Sequence, residues 1–141
     1  MMMKQTLYIL LLLYLLTLGA CTHNDGNIGN WFGTWHVQEI TCHGEQVVVN
    51  CDYFFQFQST VFRISQVGDH EQTVESFGIW DDSTEGKMII SFPDPAVYYL
   101  EMPGLESSNT FTITSSSSHE VTFSKVDHAG ASYTYHLKKQ P

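Results

Sequence analysis

Histidine and aspartate side chains, which can bind metals, are concentrated in four polar segments of the chain. The segments span residues 43–52, 68–71, 93–108 and 127–130 and contain His43, His70, His128, Asp52, Asp69, Asp94 and Asp127. If the segments converge at one end of the fold, these imidazole and carboxylate groups could bind zinc or another divalent ion. Their spacing matches no recognised metal motif, however, and polar residues are common in loops. We therefore predict no metal site and no cofactor.

Cys42 and Cys51 could form a disulfide that closes the loop 43–50. On the loop-entropy estimate, this bond would stabilise the fold by roughly 2 to 3 kcal/mol. If all of 43–50 is a loop, the cysteines face each other and the valine run 47–49 lies over the mouth of the fold. If the chain turns tightly at Gly44, Cys51 is carried out of register and both thiols stay free. We predict the disulfide, with two free thiols as the alternative.

Motifs that would carry catalysis are missing from the sequence. It contains no Gly-x-Ser-x-Gly elbow, no His-Glu-x-x-His pair, no phosphate-binding glycine loop and no cysteine placed with a histidine as an activated nucleophile. The adjacent acids Asp81 and Asp82 fall in a predicted turn, where a solvated surface explains them. We predict that the protein is not an enzyme.

The segments that must position these residues have the pattern of β-strands. Residues 31–42 are rich in β-favouring side chains, and seven further candidates lie near 52–58, 60–67, 72–80, 87–92, 109–115, 119–126 and 131–139. Alternation of apolar and polar residues gives each strand an interior face and a solvent face, as in antiparallel sheets. Eight strands that close leave no exposed edge. We predict an all-β, eight-stranded antiparallel up-and-down barrel with a short N-terminal helical turn.

Glu39 shares one face of the first predicted strand with Trp35 and Val37, so strict alternation points its carboxylate into the interior. A buried carboxylate needs a partner or takes up a proton. Arg63, on a neighbouring strand, could be that partner and would form a polar anchor for a ligand head group. The alternative, which we favour, is a β-bulge that turns Glu39 outward.

Residues 1–20 have the pattern of a secretion signal. Lys4 precedes an apolar run over residues 7–16, which is too short to cross the core of a bilayer. The ending LGAC at residues 18–21 resembles the lipobox of bacterial lipoproteins, in which the cysteine becomes the lipidated first residue of the mature chain. An ordinary secretory signal cut near Ala20 is the alternative.

The lipobox resemblance implies lipidation at Cys21, a flexible tether over residues 21–30 and one barrel domain over residues 31–141. Thr22 follows the cysteine in place of the Asp that holds many lipoproteins in the inner membrane. We therefore expect an outer-membrane lipoprotein of the cell envelope, facing either the periplasm or the cell exterior.

The charge of the chain excludes one class of partner. Fifteen Asp and Glu residues against six Lys and Arg residues give a net charge of −9. Nucleic-acid binding depends on clustered basic residues that neutralise phosphates, so we expect no nucleic-acid partner. The acidity is better suited to keeping a surface protein soluble.

Gly33 and Trp35 stand at the head of the first predicted strand, where the glycine allows a sharp bend and the tryptophan supplies a large plug. The pair resembles the Gly-x-Trp opening of lipocalins and related calycin barrels, in which a short helix closes the base and the Trp packs over it. With the preceding lipid-anchor signal, the chain resembles bacterial lipocalin-like lipoproteins. Lipocalins often stack an arginine of the last strand on this Trp, whereas this chain offers Lys138 and Lys139.

Our first hypothesis is therefore a lipid-anchored barrel that binds a small apolar or amphipathic molecule in its interior. Its richness in aromatic residues favours a packed interior with a small or shallow site. For any single residue expected to line that site, plain core is the favoured interpretation. The candidates are Tyr53, Phe55, Phe57, Phe62, Met88, Ile90, Tyr133 and Tyr135.

The second hypothesis is a filled barrel that serves as an envelope scaffold or accessory subunit through contacts with another protein. The long connection 93–108 could present an exposed aromatic patch that contains Val97, Tyr98, Tyr99, Leu100 and Met102. A cavity above ~300 Å³ would favour the small-molecule hypothesis, whereas an interior at normal packing density would favour the scaffold.

Overall fold

Nine antiparallel strands form one sheet in the computed structural model, which describes residues 3–12, 31–68, 72–94 and 101–141. The strands are β1 (Gly33–Cys42), β2 (Glu45–Gln46), β3 (Asp52–Gln58), β4 (Val61–Val67), β5 (Thr73–Asp81), β6 (Lys87–Ser91), β7 (Ser108–Ser116), β8 (Glu120–Val126) and β9 (Ser132–Lys139). Residues 3–12 form a short N-terminal helix. Within the described residues, no helix has the length and apolar character needed to cross a bilayer.

Pairing between the first and last strands closes the sheet into a barrel. Strands β3 to β9 pair in sequence order, and β1 pairs with both β3 and β9. The two-residue β2 is an extension of β1 outside this circle, so eight strands form the wall. The predicted eight-stranded antiparallel barrel is therefore confirmed. The helical turn predicted just ahead of Trp31 falls on residues outside those described.

The connection after β1 differs from the predicted loop and corrects the disulfide prediction. Cys42 pairs with Glu45 across a two-residue turn, in which His43 and Gly44 both have positive φ. This is the backbone of a tight hairpin turn whose twist matches that of its strands. The turn directs the chain into β2, and Cys42 and Cys51 are both free thiols. The disulfide prediction was wrong, and the tight turn at Gly44 is the reason.

A β-bulge in β1 decides the orientation of Glu39. The register between β1 and β9 shifts between Val37 and Glu39, so the alternation of faces is interrupted there. Val37 and Ile40 are buried whereas Glu39 is exposed. Arg63 lies on the outer side of β4 and pairs with Glu75 at 3.6 Å. The interior Glu39–Arg63 anchor is therefore absent, and the bulge was the correct alternative.

Aromatic side chains fill the interior of the barrel. Phe62 on β4 contacts the rings of Phe55 and Phe57 on β3, with centroid separations of 5.2 Å in each case. On the opposite side of the barrel, the rings of Phe111 on β7 and Phe123 on β8 lie 5.3 Å apart. All five side chains have no solvent exposure. Burial of side chains this large supplies most of the free energy that stabilises a domain of this size.

Trp35 and its neighbours close one end of the barrel, which we call the closed end. The Trp35 indole nitrogen donates a hydrogen bond to the Trp31 carbonyl at 3.0 Å, and the Trp31 ring lies 5.6 Å from Phe123. The Lys139 ammonium lies 5.5 Å from the Trp35 ring centroid, in cation–π range. A Cβ on Gly33 would lie 3.1 Å from the Lys139 side chain, so a glycine at this position leaves room for it.

Candidate functional site at the open end of the barrel

Alternate connections of the antiparallel barrel meet at the end opposite Trp35, which we call the open end. Strand direction places there the connections that follow β1, β4, β6 and β8. These are the four polar segments identified in the sequence, so the predicted convergence is correct as far as the described residues show it. Of the histidines and aspartates named as candidate metal ligands, His70 and Asp69 lie outside the described part of the chain.

Residues 101–107, which we call the mouth segment, cover part of this end and extend into the interior. Met102 and Leu105 are buried in the hydrophobic core. The Tyr135 hydroxyl donates a hydrogen bond to the Pro103 carbonyl at 2.7 Å. Gly104 has a φ of +80°, and a Cβ there would collide with the Tyr135 hydroxyl and the Tyr133 ring. The mouth segment is thus packed tightly against β9.

This packing also corrects one part of the scaffold hypothesis. Met102 was expected in an exposed aromatic patch, but only 3% of its surface is exposed. It points into the barrel because apolar side chains next to an open core gain free energy by entering it. The other members of that patch, residues 97–100, lie outside the described residues.

A buried lysine fixes the mouth segment from the inside. Lys125 lies on the inward face of β8, after Val121 and Phe123, and its side chain is 2% exposed. Its ammonium donates hydrogen bonds to the Gly104 carbonyl at 2.6 Å, to the Asn109 amide oxygen at 2.7 Å and to Glu106 Oε1 at 3.0 Å. A buried ammonium requires such partners because the loss of hydration is costly.

Asn109 and His128 complete this cluster around Glu106. Asn109 is fully buried at the start of β7; its amide oxygen accepts from the Glu106 backbone nitrogen and its amide nitrogen donates to the Glu106 carbonyl. His128 Nδ1 lies 2.6 Å from Glu106 Oε2. The hydrogen bond from Lys125 is the largest influence on the pKa of Glu106 and, with that from His128, lowers it to about 2.

A pocket of about 230 Å³ opens in the barrel wall between β1 and β3, and we call it the wall pocket. The β1–β3 pairing ends at His36 and Phe54, so the two strands separate beyond that point. Val37, Ile40 and Tyr53 form its inner lining, and the segment 46–49 covers it from outside. Val47 packs against the core and its backbone nitrogen donates to the Ile40 carbonyl at 2.8 Å.

Polar groups border the same pocket. Glu39, turned outward by the bulge, lines it together with Gln38 and Gln46. Burial, which is the main cause, and the charges of Cys51 and Glu101 together raise the pKa of Tyr53 to about 12. The accessible lining of the pocket is more polar than apolar, so the pocket suits a small amphipathic molecule whose apolar part reaches the floor.

The eight predicted ligand-lining residues all point inward, but the structure brings most of them together as core. Phe55, Phe57, Phe62, Met88, Ile90 and Tyr135 have no exposed surface. Tyr133 is partly buried and packs against the core, and Tyr53 lines the wall pocket. The binding role of these residues stays a prediction.

The two free thiols lie near the open end without a shared partner. Cys51 Sγ accepts a hydrogen bond from the Gln66 side chain at 3.6 Å. Tyr133 has a raised pKa, chiefly because of burial and then because of the neighbouring Cys42. Among the residues described, no group of three or more His, Cys, Asp or Glu side chains could hold a metal ion.

The Lys125 cluster was missed by sequence reasoning, although the sequence carries a signal for it. Val121, Phe123 and Lys125 alternate along β8, so the period of two places the lysine on the same inward face as the two apolar residues. A charged residue at such a position predicts a buried partner. The identity of the partner was not readable, because Glu106 lies 19 residues away on an irregular connection.

Comparisons with solved structures identify barrels of the same architecture. A lipocalin-like protein from Bacteroides uniformis ATCC 8492 aligns with a TM-score of 0.64 and 16% identity, over 79% of this chain and 100% of that chain. An uncharacterized protein from Bacteroides eggerthii DSM 20697 aligns with a TM-score of 0.58 and 16% identity, over 78% and 99%. A redesigned β barrel aligns with a TM-score of 0.50 and 18% identity, over 79% and 93%.

These similarities show the fold, which is that of a lipocalin-like barrel. No protein-family model matches the sequence. No curated protein matches it significantly.

Proposed function

We propose that this chain is a lipid-anchored protein of the cell envelope that binds a small apolar or amphipathic molecule at the open end of its barrel. The observation that carries the proposal is the wall pocket, whose floor is formed by the inward side chains Val37, Ile40 and Tyr53. Lipocalin-like barrels generally bind small hydrophobic ligands, which supports the same class of function. The barrel interior is filled with aromatic side chains, and the wall pocket is smaller than the ~300 Å³ that would favour an interior ligand. We therefore expect a compact ligand in the wall pocket and not in the barrel interior, and the filled interior itself favours the scaffold candidate below.

A fluorescence titration with N-phenyl-1-naphthylamine, a neutral apolar probe, tests the wall pocket. Val47→Trp would fill the pocket from its covering segment and is expected to lower the affinity for the probe at least about tenfold. Val126→Trp is the matched control, because Val126 is 64% exposed on the outer face of β8. Unchanged binding by Val47→Trp, or equal losses in both variants, would place the probe elsewhere and overturn the proposal.

Native mass spectrometry of the protein purified from its own envelope addresses the natural ligand. Release of a stoichiometric small molecule on denaturation would support the proposal and give its chemical class. A clean apo mass, together with no binding of the apolar probe, would contradict it.

The anchor is proposed from the sequence pattern that ends at Cys21. Metabolic labelling with an alkyne fatty acid is expected to label the protein and to fail on Cys21→Ser. Label that persists in the variant would contradict lipidation at this residue.

A scaffold function is the second candidate, and an exposed apolar patch favours it. Val61 and Ile79 are direct register partners on β4 and β5, and Phe77 lies two residues before Ile79 on the same outer face. These three side chains are between 45% and 54% exposed. Phe77→Glu is expected to abolish cross-linking to an envelope partner. Val126→Glu is the control and should retain this cross-linking. Identical cross-linking by both variants would exclude this patch as the contact.

A further inference from the structure

The mouth segment combines chemical groups that together resemble an anionic amphiphile. Glu106 presents a carboxylate to the buried ammonium of Lys125 at 3.0 Å. On the same segment, Met102 and Leu105 place apolar side chains inside the barrel. A carboxylate head joined to an apolar body is also the composition of a fatty acid.

We propose that Lys125 is the head-group site for a monocarboxylate with an apolar chain, and that the mouth segment occupies this site until such a ligand displaces it. The ligand carboxylate would replace Glu106 at the ammonium, and its chain would replace Met102 and Leu105. This site lies on β8 at the barrel mouth and is distinct from the wall pocket between β1 and β3.

The distribution of the partners of Lys125 supports an exchange. Two of its three hydrogen-bond acceptors, the Gly104 carbonyl and the Glu106 carboxylate, belong to the mouth segment. The third, Asn109, belongs to β7 and would stay in place. When the mouth segment moves away, a buried ammonium is left with one neutral acceptor, and an anion is the group that compensates such a charge best.

Glu106 also has a route outward. Its side chain is 26% exposed. Its second carboxylate oxygen is hydrogen-bonded to the ring of His128, whose side chain is 85% exposed. A displaced carboxylate would therefore enter water, where it is well hydrated. The exchange would also break the two hydrogen bonds between the Glu106 backbone and Asn109 and the one from Tyr135 to the Pro103 carbonyl, and ligand binding must compensate for their loss. A neutral alcohol could fill the apolar space but could not replace the negative charge, so the site should prefer the acid over the alcohol of equal chain length.

Calorimetric titration of the full chain with octanoate and with octan-1-ol tests the preference. Glu106→Gln keeps the shape of the side chain but removes the competing charge, so octanoate affinity should rise about tenfold while octanol affinity changes little. Lys125→Met should abolish the preference for octanoate. Lys87→Met is the matched control, because Lys87 bonds Thr112 at 2.8 Å on other strands and should leave octanoate binding unchanged.

Hydrogen exchange gives a second readout of displacement. Saturating octanoate should increase amide exchange in residues 101–107 and leave the β3–β4 hairpin protected. Any one of three results would overturn the proposal. The first is equal affinity of the wild type for octanoate and octanol, and the second is an unchanged octanoate affinity in Glu106→Gln. The third is an equal loss of octanoate affinity in Lys87→Met and Lys125→Met. If Lys125→Met does not fold, the Glu106→Gln result decides. Val47→Trp should still bind octanoate, so failure of the wall pocket and failure of this site are distinguishable.

Discussion

Individual residues at the closed end show how a sequence motif becomes a packing arrangement. The Lys139 ammonium covers the Trp35 ring at 5.5 Å, and Gly33 provides the space beside it. The arginine expected from the lipocalin resemblance is thus replaced by a lysine in the same kind of contact. Lys138 was an equally good candidate from sequence, but it is exposed on the other face of β9.

Truncation of Lys139 should therefore destabilise the barrel more than truncation of its neighbour. We expect Lys139→Ala to lower the free energy of unfolding by about 1 kcal/mol through loss of the cation–π contact and stem packing. Lys138→Ala should change it by less than about 0.5 kcal/mol, as is usual for exposed side chains. Urea denaturation followed by tryptophan fluorescence measures both, and equal effects would contradict the assigned contact.

Glu106 predicts how stability depends on acid. Its hydrogen bonds to Lys125, the larger cause, and to His128 lower its folded-state pKa from 4.5 to about 2. Its contribution to stability is therefore complete above the unfolded-state pKa and is lost as the pH falls from about 5 to about 2. Glu106→Gln should flatten the decrease in Tm over this range, whereas Glu85→Gln, in an exposed turn, should not. A parallel decrease in wild type and Glu106→Gln would contradict this role.

At the scale of elements, two irregular features control the open end. The bulge after Val37 turns Glu39 outward, and the β1–β3 pairing stops at His36, so a pocket forms in the wall. The mouth segment, which has no regular secondary structure, is held instead by side chains of β7, β8 and β9. Strand periodicity alone predicts neither feature, because both are departures from it. The bulge was expected from sequence only because an inward Glu39 would have been a buried carboxylate.

A pair of glycine substitutions tests how tightly the mouth segment is packed. Gly104 and Gly130 both have positive φ, but a Cβ on Gly104 would collide with two tyrosines whereas one on Gly130 would meet nothing within 4 Å. Gly130→Ala should cost about 1 kcal/mol from backbone strain alone. Gly104→Ala should cost more than about 2 kcal/mol because steric overlap is added. Equal shifts in the urea midpoint would show that the mouth segment moves freely.

At the scale of the molecule, the barrel is stabilised by its aromatic interior. Phe62 is fully buried in the interior, whereas Phe77 on the neighbouring strand is 53% exposed. Phe62→Ala should lower the free energy of unfolding by about 3 to 5 kcal/mol, because it removes the contacts of a buried ring and leaves a cavity. Phe77→Ala should cost less than about 1 kcal/mol. Comparable losses in chemical denaturation would contradict the observed division between interior and surface.

The sequence by itself determined the barrel and the approximate bounds of its eight wall strands. Alternation with a period of two is a local property, and each strand carries it whatever its neighbours are. The order of the connections followed, so the open-end segments were also predictable. The two-residue β2 was not, because a hairpin this short has no periodicity to detect, and the disulfide prediction failed at that point.

Only the tertiary structure decided which side chains meet. Lys125 and Glu106 are 19 residues apart, and the Trp35–Lys139 contact joins the first and last wall strands. Such pairs form because barrel closure fixes the register between strands that are distant in sequence, and a shift of one residue would reverse every face. The sequence therefore predicted the inward faces, but the closed register selected the partners on them.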